Sequence, residues 1–200
     1  MAANHFGHFL MTQLLLPELL ATEAFGAQPR IVVVGSNISY MHDAFDFGEV
    51  MAEAVDGEHQ LILKRPYSLF PAYAQAKLAN LLFTKELDRR LRKRSSKIPV
   101  NIVHPGEVLT EMMRDMHPVI LTLKEIFRPV AYLLLKTPRQ GSFCTLHVAT
   151  DPALATSDMA SGLYFDRLAP AKANEVGCDE QVAKQLWALS EKLTGVASEV

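Results

Sequence analysis

Apolar side chains at Phe9, Leu10, Leu14, Leu16 and Leu20 recur at helical spacing and predict a first helix over about 5–23, with no obvious capping residue at its start. Ala27-Gln28-Pro29 breaks that pattern. Ile31-Val32-Val33-Val34 follows as a β-branched run without polar alternation, the mark of a strand buried on both faces in a parallel sheet. From Asn37 to Phe70 the chain mixes Asp, Gly, Tyr and Pro around one apolar piece, Leu61-Ile62-Leu63, and reads as a long loop carrying a small helix, with extra surface residues around 50–64. Leu78, Leu81, Leu82, Leu87 and Leu91 then mark a long helix from Ala72 to about Arg94, opened after Pro71 and closed by cations that complement its dipole. Val100-Asn101-Ile102-Val103 gives a second strand, ended by His104-Pro105-Gly106. A helical region near 119–136, a helix near 139–150, a third strand at 162–165 and a helix near 179–194 complete the pattern. Helix, strand, helix, strand is the order of an α/β fold around a parallel sheet, here of about three strands in one domain.

Composition narrows the class. The 200 residues are 49% hydrophobic, 21% charged and 8% aromatic, which excludes disorder, collagen and coiled coil. Twenty Lys and Arg against 22 Asp and Glu leave a formal charge of −2, so no global attraction to nucleic acid or an anionic membrane follows. Cys144 and Cys178 make neither a disulfide framework nor a zinc pattern and read as a buried and a loop thiol in an intracellular protein. No stretch reaches the roughly 18 uninterrupted apolar residues of a membrane span, because Lys124, Glu125, Arg128 and two prolines interrupt the nearest candidate. The opening segment lacks the basic start and cleavage site of a secretory signal.

Candidate chemistry centres on Tyr73-Ala74-Gln75-Ala76-Lys77. The spacing puts a phenol and an ammonium one helical turn apart on one face, where the cation favours phenolate and suits the phenol to proton exchange with an alcohol or carbonyl oxygen. Tyr132 and Lys136 share the spacing, so context must decide. The Tyr73 pair follows a strand ending in Gly35-Ser36 and precedes one ending in Pro105-Gly106. In a parallel sheet both ends lie on the edge where ligands collect. Tyr132 has no such company and reads as packing. His5 and His8 lack further ligands for a metal shell and read as packing or hydrogen-bonded histidines, and His104 reads as structural. The cluster from Arg89 to Lys97 reads as a solvated helix end. No Gly-x-Ser-x-Gly surrounds Ser36, which argues against a hydrolase.

Four ordered segments carry a family likeness: Asn4-His5-Phe6-Gly7-His8-Phe9, Arg30-Ile31-Val32-Val33-Val34-Gly35-Ser36, Tyr73-Ala74-Gln75-Ala76-Lys77-Leu78-Ala79-Asn80, and His104-Pro105-Gly106-Glu107-Val108-Leu109-Thr110. With them the chain resembles the C-terminal two-thirds of a short-chain dehydrogenase/reductase of the retinol-dehydrogenase-like branch. Ser161-Gly162-Leu163-Tyr164-Phe165 and Ala183-Lys184-Gln185-Leu186-Trp187 extend the likeness. It implies a partial Rossmann-like, doubly wound parallel sheet and an oxidoreductase that moves a hydride between NAD or NADP and an alcohol/carbonyl substrate. That substrate would be lipophilic, of retinoid, steroid or fatty aldehyde type. By the same likeness Tyr73 is the acid/base, and Lys77 acidifies it and holds the nicotinamide ribose. Ser36 stabilises charge on the substrate oxygen, and Asn4 positions a proton-relaying water. Pro105, Gly106, Val108 and Thr110 border the nicotinamide. Residues from about 111 to 136, including Met112, Met113 and Met116, form a substrate lid.

Two departures qualify the likeness. Gly35 stands where the family usually has a second serine. The ten glycines include no Gly-x-Gly, so the turn that cradles the dinucleotide phosphates is absent from these residues. The likeness therefore implies a chain that lacks the N-terminal cofactor-binding portion, with Met1 an internal methionine and strand 31–34 left at a sheet edge. The expected partner is a small-molecule alcohol or carbonyl substrate, without nucleic acid or a membrane span in this chain, and a homo-oligomer is left open. Location is expected to be cytoplasmic, or membrane-associated through the missing segment. The competing expectation is a non-catalytic fragment that pairs with a relative through helix faces such as 72–94. These 200 residues alone are expected to bind NADH or NADPH weakly; tight stoichiometric binding in a fluorescence titration overturns that expectation.

Overall fold

The computed structural model describes residues 1–49, 52–55, 58–61, 68–108, 135–156, 160–198 and 200. Strand β1 (Ile31–Val34) lies parallel to β4 (Val100–His104), and β4 lies parallel to β5 (Tyr164–Asp166). A fourth strand, β6 (Ala169–Ala171), turns back antiparallel on β5, so the described sheet has the order β1-β4-β5-β6 rather than three strands. Sequence pattern missed β6 because Ala-Pro-Ala is exposed and carries no β-branched signal.

Register sorts the strand side chains onto two faces. Ile31, Val33, Val100, Ile102 and Tyr164 point toward helices α1 (Gly7–Ala24) and α2 (Leu69–Lys93), while Val32, Val103 and Phe165 pack with Cys144 and Val148 of α3 (Pro138–Thr150). Helices thus cover both faces, as a Rossmann-like α/β fold requires. A short helix α4 (Ala153–Thr156) precedes β5, and α5 (Glu180–Thr194) lies on α2. Thr137 and Gln140 cap α3 reciprocally, and Asp179 caps α5 through the amides of Gln181 and Val182.

Several expectations need correction. The stretch 37–70 holds two 3₁₀ turns, Asn37–Met41 and Phe47–Glu49, and an antiparallel hairpin of β2 (Ala52–Val55) and β3 (Glu58–Leu61), not a loop with one small helix. Strand β1 is not buried on both faces: it stands at the sheet edge, its first three side chains are half-buried, and Val34 is 44% exposed. The face of 72–94 is not free for a partner, because α2 is buried from Ala74 to Thr84 beneath its neighbours, α5 foremost. The Arg89–Lys97 cluster is partly spent inside the chain. Glu86, 1% exposed, is bound by both Arg89 and Arg90; Arg90 also lies over the Trp187 ring, and Arg92 pairs with Asp88. The helical region expected near 119–136 lies outside the described residues up to 134.

The chain enters α1 through a π-helical turn, Ala2–Phe6, and His5 pins that turn to the core. Ser190 donates its own proton to the Leu186 carbonyl, so the His5 Nε2–H must donate to Ser190 Oγ at 2.9 Å. Burial pushes its pKa down to about 4, with the Asn80 side chain pulling partly the other way. Because the folded ring binds protons less readily than the unfolded one, stability is full above the ordinary value of 6.5 and is lost as pH falls toward 4, by about 3 kcal/mol when complete. His104, also lowered by burial, adds to the same acid limb. Urea unfolding at pH 7 and pH 5 is expected to show a smaller difference for His5→Gln than for the parent, and equal differences would refute this role for His5.

Candidate active site

The C-terminal ends of β1 and β4 are neighbours, and a cleft of about 780 Å³ opens where they release the chain. Its walls come from three places: Val34 to Ile38 with Met41, His104 to Val108, and Pro138, Gly141, Ser142 and Thr145 of α3. Tyr73 and Lys77 reach it from the second and third turns of α2. Of the residues singled out from sequence, Ser36, Tyr73, Lys77, Pro105, Gly106 and Val108 all line this one cleft. Asn4 does not: it sits exposed on the π-helical turn. Thr110 lies outside the described residues, as does Tyr132.

Ser36 caps the 3₁₀ turn that follows β1, accepting the Ile38 amide at 3.3 Å. The Tyr73 phenol is raised by burial, and a hydrogen bond with Ser36 pulls it partly back. Lys77, 7% exposed, donates from Nζ to the Val34 carbonyl at 2.8 Å, and Nζ stands 5.6 Å from the Tyr73 ring centre. Burial lowers its pKa. The ammonium therefore closes the triangle of strand end, phenol and hydroxyl, although the shift on Tyr73 is set first by burial and then by Ser36 rather than by the lysine.

The opposite wall is cross-tied. Asn37 Nδ2 donates to Glu107 Oε1 at 2.6 Å, joining the loop after β1 to the loop after β4. His104 Nε2 stands 3.7 Å from the same oxygen, and that imidazole is buried and lowered in pKa, so it adds little positive charge. The Asn37 bond holds the Glu107 carboxyl below its usual range. Gly106 has φ of 89°, a conformation that favours glycine, and the Lys136 side chain lies across it with Nζ donating to the Pro105 carbonyl at 3.1 Å. Sequence reasoning missed Asn37, Glu107 and Lys136, since nothing local marks a contact between residues 70 positions apart, as Asn37 and Glu107 are, or 31 apart, as Pro105 and Lys136 are. Among the described residues no cluster of His, Cys, Asp and Glu could hold a metal.

The residues present fit the nicotinamide–ribose end of a dinucleotide. A phenol, a lysine and a hydroxyl line one cleft, together with the backbone of Gly35, Gly106 and Gly141. For the phosphates these 200 residues supply no Gly-x-Gly turn.

A parallel sheet covered on both faces, with its ligand cleft at the C-terminal strand ends, defines a Rossmann-like α/β protein. Comparison with known proteins narrows this. Over 193 residues the chain is 35% identical to Retinol dehydrogenase 14 of Mus musculus, covering 96% of this chain and 51% of that protein. It is 35% identical over 195 residues to Polyprenol dehydrogenase of Mus musculus, covering 98% and 53% respectively. A crystal structure of an uncharacterized protein from Mycobacterium paratuberculosis superposes with a TM-score of 0.61 at 29% identity, over 98% of this chain and 59% of that one. No family profile matches the chain. The chain is similar to these dehydrogenases over nearly its whole length and spans about half the length of the curated relatives it matches.

The missing second serine has a steric account. A Cβ on Gly35 would stand 2.7 Å from Ile102 Cγ1, so the space a side chain needs is already filled. Gly35→Ser is therefore expected to destabilise the fold by about 1–3 kcal/mol through overpacking, with part of the loss recovered when Ile102→Val is added. Urea midpoints for the single and double variants check this; an unchanged midpoint for Gly35→Ser would show that Ile102 yields freely.

Proposed function

We propose that the protein is an NAD(P)-dependent oxidoreductase acting on an alcohol/carbonyl pair of a lipophilic small molecule, of retinoid, steroid or fatty aldehyde type. The observation that carries this is the convergence of Ser36, Tyr73 and Lys77 on one cleft from two elements far apart in sequence. Relatives named for retinol and polyprenol, two lipophilic alcohols, support the substrate class, as do Val34, Ile38, Met41 and Val108 in the cleft wall.

When bound, the nicotinamide supplies or accepts the hydride at the reacting carbon. The rest falls to this chain. Ser36 Oγ hydrogen-bonds the substrate oxygen and stabilises the charge that builds there. Tyr73 gives its phenolic proton to that oxygen in reduction and takes it back in oxidation. Burial keeps the phenol protonated, which suits the donor step, while the hydrogen bond with Ser36 pulls it partly toward the phenolate that oxidation needs. Lys77 retains two N–H donors beyond its bond to Val34 with which to hold ribose hydroxyls. Pro105, Gly106 and Val108 would hold the nicotinamide side of that group.

No described helix is long and apolar enough to cross a membrane. Replacing Tyr73 by Phe in the complete protein is expected to lower turnover by at least about a hundredfold, the usual contribution of a general acid/base, while nucleotide binding persists. A near-normal rate for Tyr73→Phe would remove the assignment.

A further inference from the structure

Behind the serine loop lies a buried carboxamide that no sequence motif marks. We propose that Asn174 is a positioning residue, which holds Ser36 in the cleft by gripping the 3₁₀ turn that Ser36 begins. The inference rests on the oxidoreductase reading of the cleft.

Asn174 follows β6 and is 7% exposed. Its Nδ2 donates to two carbonyls at once, Ser39 at 2.7 Å and His42 at 3.0 Å, while Oδ1 accepts the Val176 amide at 2.8 Å. Both donors and one acceptor site of the carboxamide are thus engaged, so its orientation is determined by the network. The two carbonyls belong to the last turn of 37–41 and to the residue that ends it. Ser39 carries the grip forward, donating from Oγ to the Ser36 carbonyl at 2.9 Å. Tyr40 adds a second tie, its phenol donating to the Lys172 carbonyl. The segment 172–176, more than 130 residues downstream, is therefore the back wall of the loop that presents the Ser36 hydroxyl. A buried network of this kind has few alternative arrangements, and losing its donors leaves two carbonyls facing nothing.

Asn174→Asp keeps shape and the Val176 bond but turns the double donor into an acceptor against two carbonyl oxygens. In the complete protein it is expected to lower kcat about ten- to a hundredfold, the scale for an ångström of misplacement, with KM for the nucleotide unchanged. Because Asn174 acts through Ser36, adding Asn174→Asp to Ser36→Ala is expected to cost nothing further, whereas a merely structural defect would multiply with it. A normal rate for Asn174→Asp beside a crippled Ser36→Ala, or multiplying losses, overturns this inference and leaves the oxidoreductase reading standing. A normal rate for Ser36→Ala sinks that reading first and the role of Asn174 with it. A measurement free of turnover uses the parent 200-residue chain: hydrogen exchange by NMR is expected to find both Asn174 Nδ2 protons slow, and fast exchange overturns the grip even if every variant unfolds. In Asn174→Asp the Ser39 amide, bonded to the Ser36 carbonyl at 3.3 Å, is expected to lose protection while the Gly35 amide, paired with the Val103 carbonyl at 2.8 Å, keeps it.

Discussion

Parallel pairing of β1 with β4, in register from Ile31 opposite Val100 to Val34 opposite Val103, is the constraint on which the site depends. Two strands that run the same way release the chain at the same edge, so Ser36 and the Pro105-Gly106 turn become neighbours although 69 positions separate Ser36 from Pro105. The connection between parallel strands needs a long crossover, and α2 supplies it. Its buried length also carries Tyr73 and Lys77 to that edge, so one helix serves both as core and as wall of the cleft.

That double duty sets the electrostatics. A phenol and an ammonium on a helix buried along most of its length are both moved toward neutrality, Tyr73 upward and Lys77 downward. A hydrogen bond with Ser36 counters this for the phenol, and the Val34 carbonyl accepts from the lysine and fixes its position. The open edge of β1 matters here, because the carbonyl that engages Lys77 is the last one of that edge strand.

Much of the architecture was legible along the chain. The runs at 31–34 and 100–104 and the leucine spacing of α2 carry strong local signals, since β-branched blocks and a helical period survive without tertiary help. The hairpin of β2 and β3 and the strand β6 were not legible, because short strands of mixed polar or small residues look like loop until a partner strand pairs with them. At the site, Ser36, Tyr73 and Lys77 could be found by motif and order. Glu107, Asn37 and Asn174 could not, because each acts through a single polar contact across distant sequence that leaves no local period.

By itself the sequence determined which segments are helix and strand where hydrophobic period is strong, the absence of a Gly-x-Gly turn, and the candidacy of a tyrosine and lysine one turn apart, since all of these are local properties of side-chain order. Only the tertiary structure decided that desolvation, offset in part by Ser36, sets the proton affinity of Tyr73, that Ile102 fills the space a side chain at Gly35 would need, and that a carboxamide near the C-terminus grips the serine loop. Those outcomes depend on desolvation, excluded volume and hydrogen-bond geometry between segments brought together by strand pairing, and none of the three is encoded in a neighbouring residue.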